Sequence, residues 1–102
     1  ADIYGKAISI EFEWNNLKVE KNYLIKLKYR NITIGNLYAD FLIEDKVLVK
    51  IVSVENINKQ IEDDSKLLLS SSIYEVCLIL NTLGDYEYKR IIFTNDYKKI
   101  KE

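Results

Sequence analysis

The architecture of this chain follows from residues 32–54, ITIGNLYADFLIEDKVLVKIVSV, which predict two consecutive strands joined by an acidic turn. Gly35 predicts a bulge or bend in the first strand (32–43), and the acidic residues 44–45 predict the turn. The second strand, residues 46–54, is almost wholly apolar and rich in β-branched side chains. This composition is typical of a central strand covered on both faces.

The other elements flank these two strands. Hydrophobic periodicity predicts helices over 2–15 and 57–70 and strands over 18–29, 75–81 and 87–94, with a frayed tail or short helix over 96–102. Turns are expected at Asn15-Asn16, at Arg30-Asn31 and around Gly84, and Asn56 is the expected cap of the second helix. The order α-β-β-β-α-β-β predicts a single α/β domain over residues 1–102, in which a mixed sheet is flanked by helices.

Periodicity also predicts which side chains point inward. In the first helix, Ile3, Ala7, Ile10 and Trp14 recur at helical spacing. In the strand over 18–29, the apolar side chains fall on the parity of Ile25, and the basic ones fall on the other parity. The expected core comprises Trp14, Ile25, Leu27, Val47, Val49, Ile51, Leu68, Val76, Leu78 and Leu80.

The composition excludes several classes of function. Lysine and arginine number 15 against 16 acidic residues, so a net charge of −1 gives no overall attraction to nucleic acid. One cysteine cannot form an internal disulfide, which indicates a reducing, cytoplasmic location. No apolar run approaches the length of a membrane span, so no membrane partner is expected. Because the chain opens with Ala1 and contains no methionine, we expect a truncated or processed N-terminus.

The phrases YADFLIEDKV (38–47) and YKRII (88–92) carry a resemblance to a known family. From Tyr4 to about Phe93 the chain resembles the bacterial GxxExxY family, which is grouped with the PDDEXK superfamily of metal-dependent nucleases. Tyr4 matches the tyrosine of the name-giving motif, and Ala1 stands where its glutamate belongs. The resemblance implies a restriction-endonuclease-like fold.

The same resemblance implies that the catalytic set is incomplete. In the superfamily, an aspartate and a Glu-x-Lys on the next strand hold Mg²⁺ and activate water. Asp40 matches the aspartate, but Lys50 replaces the glutamate and Val52 replaces the lysine. The glutamine of the following helix falls at about Asp64. An ammonium in place of a carboxylate repels a cation, so we expect an Asp40–Lys50 ion pair with no metal and no cofactor.

Two functions are consistent with this pattern. The first is a non-catalytic binding or scaffolding domain derived from a nuclease fold, which acts through a protein partner or as a homodimer. The second is an active metal-dependent nuclease with a rearranged site made of Asp40, Lys50 and Asp64, with Mg²⁺ as its cofactor. Divalent-cation binding discriminates between the two.

Two other features admit both a functional and a structural interpretation. Lys26, Lys28 and Arg30 form a basic row that could bind nucleic acid, since basic and aromatic groups together bind single strands. Tyr23 and Tyr29 have the opposite parity and are expected to face the core, so the row is interpreted as the solvent side of an outer strand. Cys77 has no histidine to activate it and is expected to be a buried apolar residue.

Overall fold

A computed structural model describes residues 2–83 and 87–98. Its elements are α1 (Asp2–Trp14), β1 (Val19–Tyr29), β2 (Ile32–Ile43), β3 (Val47–Val52), α2 (Lys59–Ser70), β4 (Val76–Asn81), β5 (Tyr88–Ile92) and a 3-10 turn (Asn95–Tyr97). Ala1, the side chains of Ile3 and Tyr4, the turn predicted around Gly84 and the end of the predicted tail lie outside the described residues. Neither of the two helices in the described ranges is long and apolar enough to span a membrane.

The five strands form one mixed sheet in the order β1-β2-β3-β4-β5. Strands β1, β2 and β3 are an antiparallel meander, and β3 pairs in parallel with β4 after the crossover through α2. Strand β5 returns antiparallel to β4. This confirms the predicted mixed α/β sheet, and it places β3 at the centre and β1 at one edge.

The predicted turns have the backbone conformation that tight turns require. Arg30 and Asn31 have φ values of 51° and 64°, and Glu44 and Asp45 have φ values of 54° and 55°. Positive φ at both central residues gives a turn whose twist matches that of the flanking strands. In β2, the register shifts opposite Leu27 and Lys28, so the bend predicted near Gly35 is a β-bulge.

The cap predicted for α2 is displaced by two residues. Asn58, not Asn56, precedes the helix, and its Oδ1 accepts a hydrogen bond of 3.0 Å from the backbone N–H of Ile61. This bond satisfies one of the free N–H groups of the first turn. Ile57 therefore lies outside the helix, although it still packs against the core.

The core lies between α2 and the sheet. Its fully buried side chains from these elements include Leu48, Leu69, Cys77 and Ile79. The predicted core members of β4 (Val76, Leu78 and Leu80) are only half-buried. They lie on the opposite face of β4 from Cys77 and Ile79, so the prediction chose the less buried parity of this strand.

The inward face predicted for α1 is also wrong. Trp14 is 82% exposed and Ile10 is 61% exposed, and the side chain of Ala7 is exposed as well. The helix meets the sheet instead through Phe12, whose ring packs edge-on against Phe41 with centroids 5.5 Å apart. Helical spacing identified an apolar stripe, but the sheet contacts a different side of the helix.

Candidate functional site

Asp40 and Lys50 meet where β2 and β3 separate. The ladder between these strands pairs Ile43 with Val47, Leu42 with Leu48 and Phe41 with Val49, and it ends there. Asp40 and Lys50 occupy the next position on each strand. Consecutive positions on an antiparallel ladder lie opposite each other, so this register places the carboxylate and the ammonium on one face of the sheet.

The Asp40 carboxylate takes the place of a backbone partner. Its Oδ2 accepts a hydrogen bond of 2.6 Å from the backbone N–H of Ile51, the residue that follows Lys50 in β3. A half-buried N–H group is costly without a partner, so this bond stabilises the point at which the strands separate. The side chain of Asp40 therefore has a structural role in addition to its charge.

Lys50 is held beside this carboxylate. Its Nζ lies 3.8 Å from Oδ2 of Asp40 and donates a hydrogen bond of 3.3 Å to the carbonyl oxygen of Tyr38. The side chains of Lys50 and Asp40 are 31% and 37% exposed. The pair expected from the sequence is therefore present, at a site that water can reach but that the sheet partly shields.

The remaining candidate positions do not add ligands to this pair. Val52, at the family's lysine position, is half-buried, packs against the core and pairs with Asn81 of β4. Asp64 is exposed on α2, where it accepts a hydrogen bond of 2.9 Å from Gln60 of the same helix. No group of three or more acidic or cysteine side chains within the described ranges is arranged to hold a metal ion.

The family resemblance implies a magnesium ion at these positions. The implied site needs two carboxylates that converge on the cation. Here the only carboxylate of the matching positions already accepts an N–H group, and the facing position bears an ammonium. The residues at 40, 50 and 52 therefore fit an ion pair and do not fit a divalent cation.

Sequence reasoning missed Asn81, which is buried at the end of β4. Its Oδ1 accepts from the N–H groups of Val54 and Leu83 at 3.1 and 3.2 Å, and its Nδ2 donates to the carbonyl of Val54 at 2.7 Å. It also donates to Glu87 at 3.3 Å. Asn81 thus joins the segments that leave β3 and β4, and a polar residue closing the apolar run VCLIL was the available signal.

Cys77 is the buried residue that the sequence predicted. Burial raises the pKa of its thiol to about 11, although a hydrogen bond with Ser65 acts in the opposite direction. A thiol that stays protonated near neutral pH is a poor nucleophile.

Lys26 and Lys28 of the basic row lie on β1, an edge strand, Arg30 lies in the turn that follows it, and all three are exposed. Tyr23 is half-buried as expected, but Tyr29 is 61% exposed, which corrects the prediction that it faces the core. The Arg30 guanidinium lies 5.6 Å from the centre of the Tyr29 ring. The Tyr29 ring is therefore accessible and lies next to a cation.

The fold matches that of a solved structure. An alkaline exonuclease from Laribacter hongkongensis superposes with a TM-score of 0.66 over 93% of this chain, at 15% sequence identity. The match covers 56% of the exonuclease, so this chain corresponds to little more than half of that protein. At this identity, the similarity establishes the fold alone.

Sequence comparison identifies the family. No curated protein sequence matches the chain. The profile of the PD-(D/E)XK nuclease superfamily, however, matches residues 1–91, which include every strand except the last residue of β5. The observed order of helices and strands agrees with this match, and the chain belongs to the PD-(D/E)XK nuclease superfamily.

Proposed function

We propose that this chain is a non-catalytic binding or scaffolding domain, derived from a PD-(D/E)XK nuclease fold, that acts through a protein partner or through self-association. Within the superfamily, the pattern around Tyr4, Asp40 and Lys50 supports a GxxExxY-like member whose Glu-x-Lys has been lost. The observation that carries the proposal is the contact between Asp40 and Lys50.

The physical argument concerns charge at the position where a metal would bind. A divalent cation near Oδ2 of Asp40 would be close to the Lys50 ammonium, whose Nζ is 3.8 Å from that oxygen. Two positive charges at such a distance repel each other, and the repulsion grows as the site is shielded from water. Binding a cation would also weaken the hydrogen bond that Asp40 accepts from Ile51.

Metal-dependent stabilisation tests this proposal. A ligand that binds only the folded state raises the unfolding temperature, so Mg²⁺ and Mn²⁺ should leave the Tm of the wild type at its value in EDTA. Lys50→Glu places a second carboxylate opposite Asp40, and we expect its Tm to rise when either cation is added. Lys46→Glu, an equal charge change in the exposed turn before β3, is the matched control and should give no response.

The double variant Lys50→Glu/Val52→Lys restores the complete motif and should also gain a metal response. Because Val52 is half-buried, a lysine at this position could unfold the domain, so the single variant keeps the test interpretable. If a folded double variant shows no response, residues 50 and 52 do not share a pocket with Asp40. A stoichiometric cation site in the wild type, lost in Asp40→Asn together with metal-dependent DNA cleavage, would support the rearranged nuclease instead.

A further inference from the structure

Two exposed patches lie at opposite ends of β1 and carry charges of opposite sign. The arm patch lies at the tip of the β1–β2 hairpin and comprises Tyr29, Arg30 and Ile32, with the Arg30 guanidinium 5.6 Å from the centre of the Tyr29 ring. The helix patch lies at the end of α1 and comprises Ile10, Glu11, Glu13, Trp14 and Leu17. All eight side chains are exposed, and each patch combines charged groups with large apolar side chains.

The arm patch lies on a two-stranded ribbon that extends beyond the rest of the sheet. Strand β1 pairs with β2 along nearly its whole length, whereas β2 pairs with β3 only over residues 41–43. We call residues 26–36 the arm. Tyr29 and Ile32 are cross-strand partners near its tip, and they are 61% and 67% exposed. Exposed apolar pairs of this size are typical of interaction surfaces.

Charge is divided unequally between the arm and the rest of the chain. The arm contains three basic residues and no acidic residue, a charge of +3. Since the whole chain has a net charge of −1, the other residues carry −4. Glu11 and Glu13 contribute to that excess on the exposed surface of α1, beside Trp14. The arm is therefore electrostatically complementary to the remainder of the same chain.

The two patches cannot meet within one molecule. Trp14 is separated from the start of β1 by a short turn, whereas Tyr29 is the last residue of that 11-residue strand. An extended strand of this length spans about 33 Å, so the patches lie near its opposite ends. Two copies arranged side by side with β1 running in opposite directions bring each arm patch to the helix patch of the other copy.

We propose that this chain forms a two-fold symmetric dimer in which the arm patch of each copy docks on the helix patch of the other. In a two-fold dimer the same contact occurs twice, so the total buried surface is twice that of one contact. Trp14, Tyr29 and Arg30 are of the residue types that most often dominate binding energy. The apolar side chains of both patches are then removed from water, and Arg30 faces Glu11 and Glu13.

A second copy fits the arm better than a nucleic acid does. Phosphates would neutralise the three basic residues but would leave the apolar side chains of the helix patch uncovered. The dimer accounts for both patches with one contact. This inference rests on the proposed function, because it names self-association as the mode of action. Metal-dependent stabilisation probes Asp40, whereas self-association is measured at Trp14. A negative result in one experiment therefore leaves the other proposal unaffected.

Trp14 gives a direct readout because it is the chain's single tryptophan. We expect its fluorescence emission to shift to shorter wavelength as protein concentration rises, while sedimentation gives twice the monomer mass of 12.0 kDa. High salt should weaken the dimer because the opposed charges are near the surface. A monomer at every concentration, with unchanged Trp14 emission, would overturn the proposal.

Charge exchange identifies the surfaces. Glu13→Lys alone and Arg30→Glu alone should each weaken the dimer by about tenfold or more, since each places like charges together. An equimolar mixture of the two variants should restore a heterodimer, because both of its contacts then join opposite charges. Glu55→Lys, an equal charge change in the loop after β3, should leave the affinity at the wild-type value.

Two further outcomes decide against the proposal. A dimer that survives both single charge reversals unchanged uses other surfaces. A wild type that stays monomeric but binds a short DNA duplex, with binding lost in Lys28→Glu, would assign the arm to nucleic acid. Circular dichroism of each variant confirms that its fold is retained before the masses are compared.

Discussion

The arm and the half of the sheet that α2 covers contain similar strands, but these strands bury their side chains very differently. In β4, Cys77 and Ile79 are completely buried, whereas Ile32 and Ile34 of β2 are 67% and 62% exposed. Both segments are rich in apolar residues with high β propensity. The difference is the layer above them: α2 packs on the sheet near β4, while the arm extends beyond it. β propensity predicts a strand, but only a second layer produces a core.

The same comparison predicts an uneven distribution of stability. A two-stranded ribbon is marginal in water without a helix or further strands packed against it. The arm should therefore open locally at little cost, whereas opening around β4 requires the whole domain to unfold.

The largest effect is expected for Ile79→Ala. Removing a fully buried side chain beneath α2 should lower the free energy of unfolding by about 2–5 kcal/mol. Ile34→Ala in the arm is the matched control and should change it by less than about 0.5 kcal/mol. Urea unfolding measures both free energies. Leu78→Ala, at a half-buried position, should lower the free energy of unfolding by an intermediate amount. Equal losses at positions 79 and 34 would contradict the comparison.

A smaller loss is expected for Asn81→Ala. The variant leaves the N–H groups of Val54 and Leu83 without their acceptor. Both groups are only partly buried, so water can replace the lost partner, and each lost bond costs about 0.5–1.5 kcal/mol. Asn36→Ala, at an exposed position of the arm, should be close to neutral. Denaturant unfolding of both variants checks the difference, and a loss at Asn36 that matches the loss at Asn81 would show that the arm is as tightly held as the covered half.

The smallest effect concerns the contact that joins β1 to the covered half. The hydroxyl groups of Tyr23 and Tyr74 lie 3.1 Å apart, and their rings pack edge-on with centroids separated by 5.7 Å. Tyr23→Phe removes this hydrogen bond and should lower the free energy of unfolding by about 1 kcal/mol. Tyr29→Phe, at an exposed position, is the control and should not measurably lower the free energy of unfolding.

The same contact gives a pH dependence. The hydrogen bond with Tyr23, followed by burial, raises the pKa of Tyr74 from 10.0 to about 12. The folded state thus retains a proton that the unfolded chain loses, so this stabilisation is complete below pH 10 and disappears as the pH approaches 12. Comparing the wild type with Tyr74→Phe by denaturant unfolding across this range isolates the effect. An identical pH dependence in both proteins would refute it.

The sequence predicted the order of the strands and helices well because turns and periodicity are local. Positions such as Asn31 and Asp45 mark their turns directly. The buried face of β4 could not be predicted, since VCLIL is apolar on both parities and only the packing of α2 distinguishes Cys77 from Leu78. Trp14 was misplaced for a similar reason: helical spacing defines a stripe but does not specify which side contacts the sheet.

The candidate site was predicted in part. The resemblance identified Asp40 and Lys50 as facing positions, and the structure brings them together. The hydrogen bond from Ile51 to Asp40 was not foreseen, because it depends on where β2 and β3 separate, and residue type alone does not determine that point. Asn81 was missed because its partners Val54 and Leu83 belong to segments without regular structure.

The pairing pattern of the sheet also determines the order in which the chain is expected to fold. Tyr29 and Ile32 are only three positions apart in the sequence, so the β1–β2 hairpin can close on a timescale of about 1–10 μs. The parallel pair of Val47 and Val76 must bring together residues separated by 29 positions, with α2 formed between them. Closing such a loop loses more chain entropy before any contact compensates for it. We therefore expect the β3–β4 seam to limit the folding rate, and the hairpin to be present early, while its edges are still unprotected.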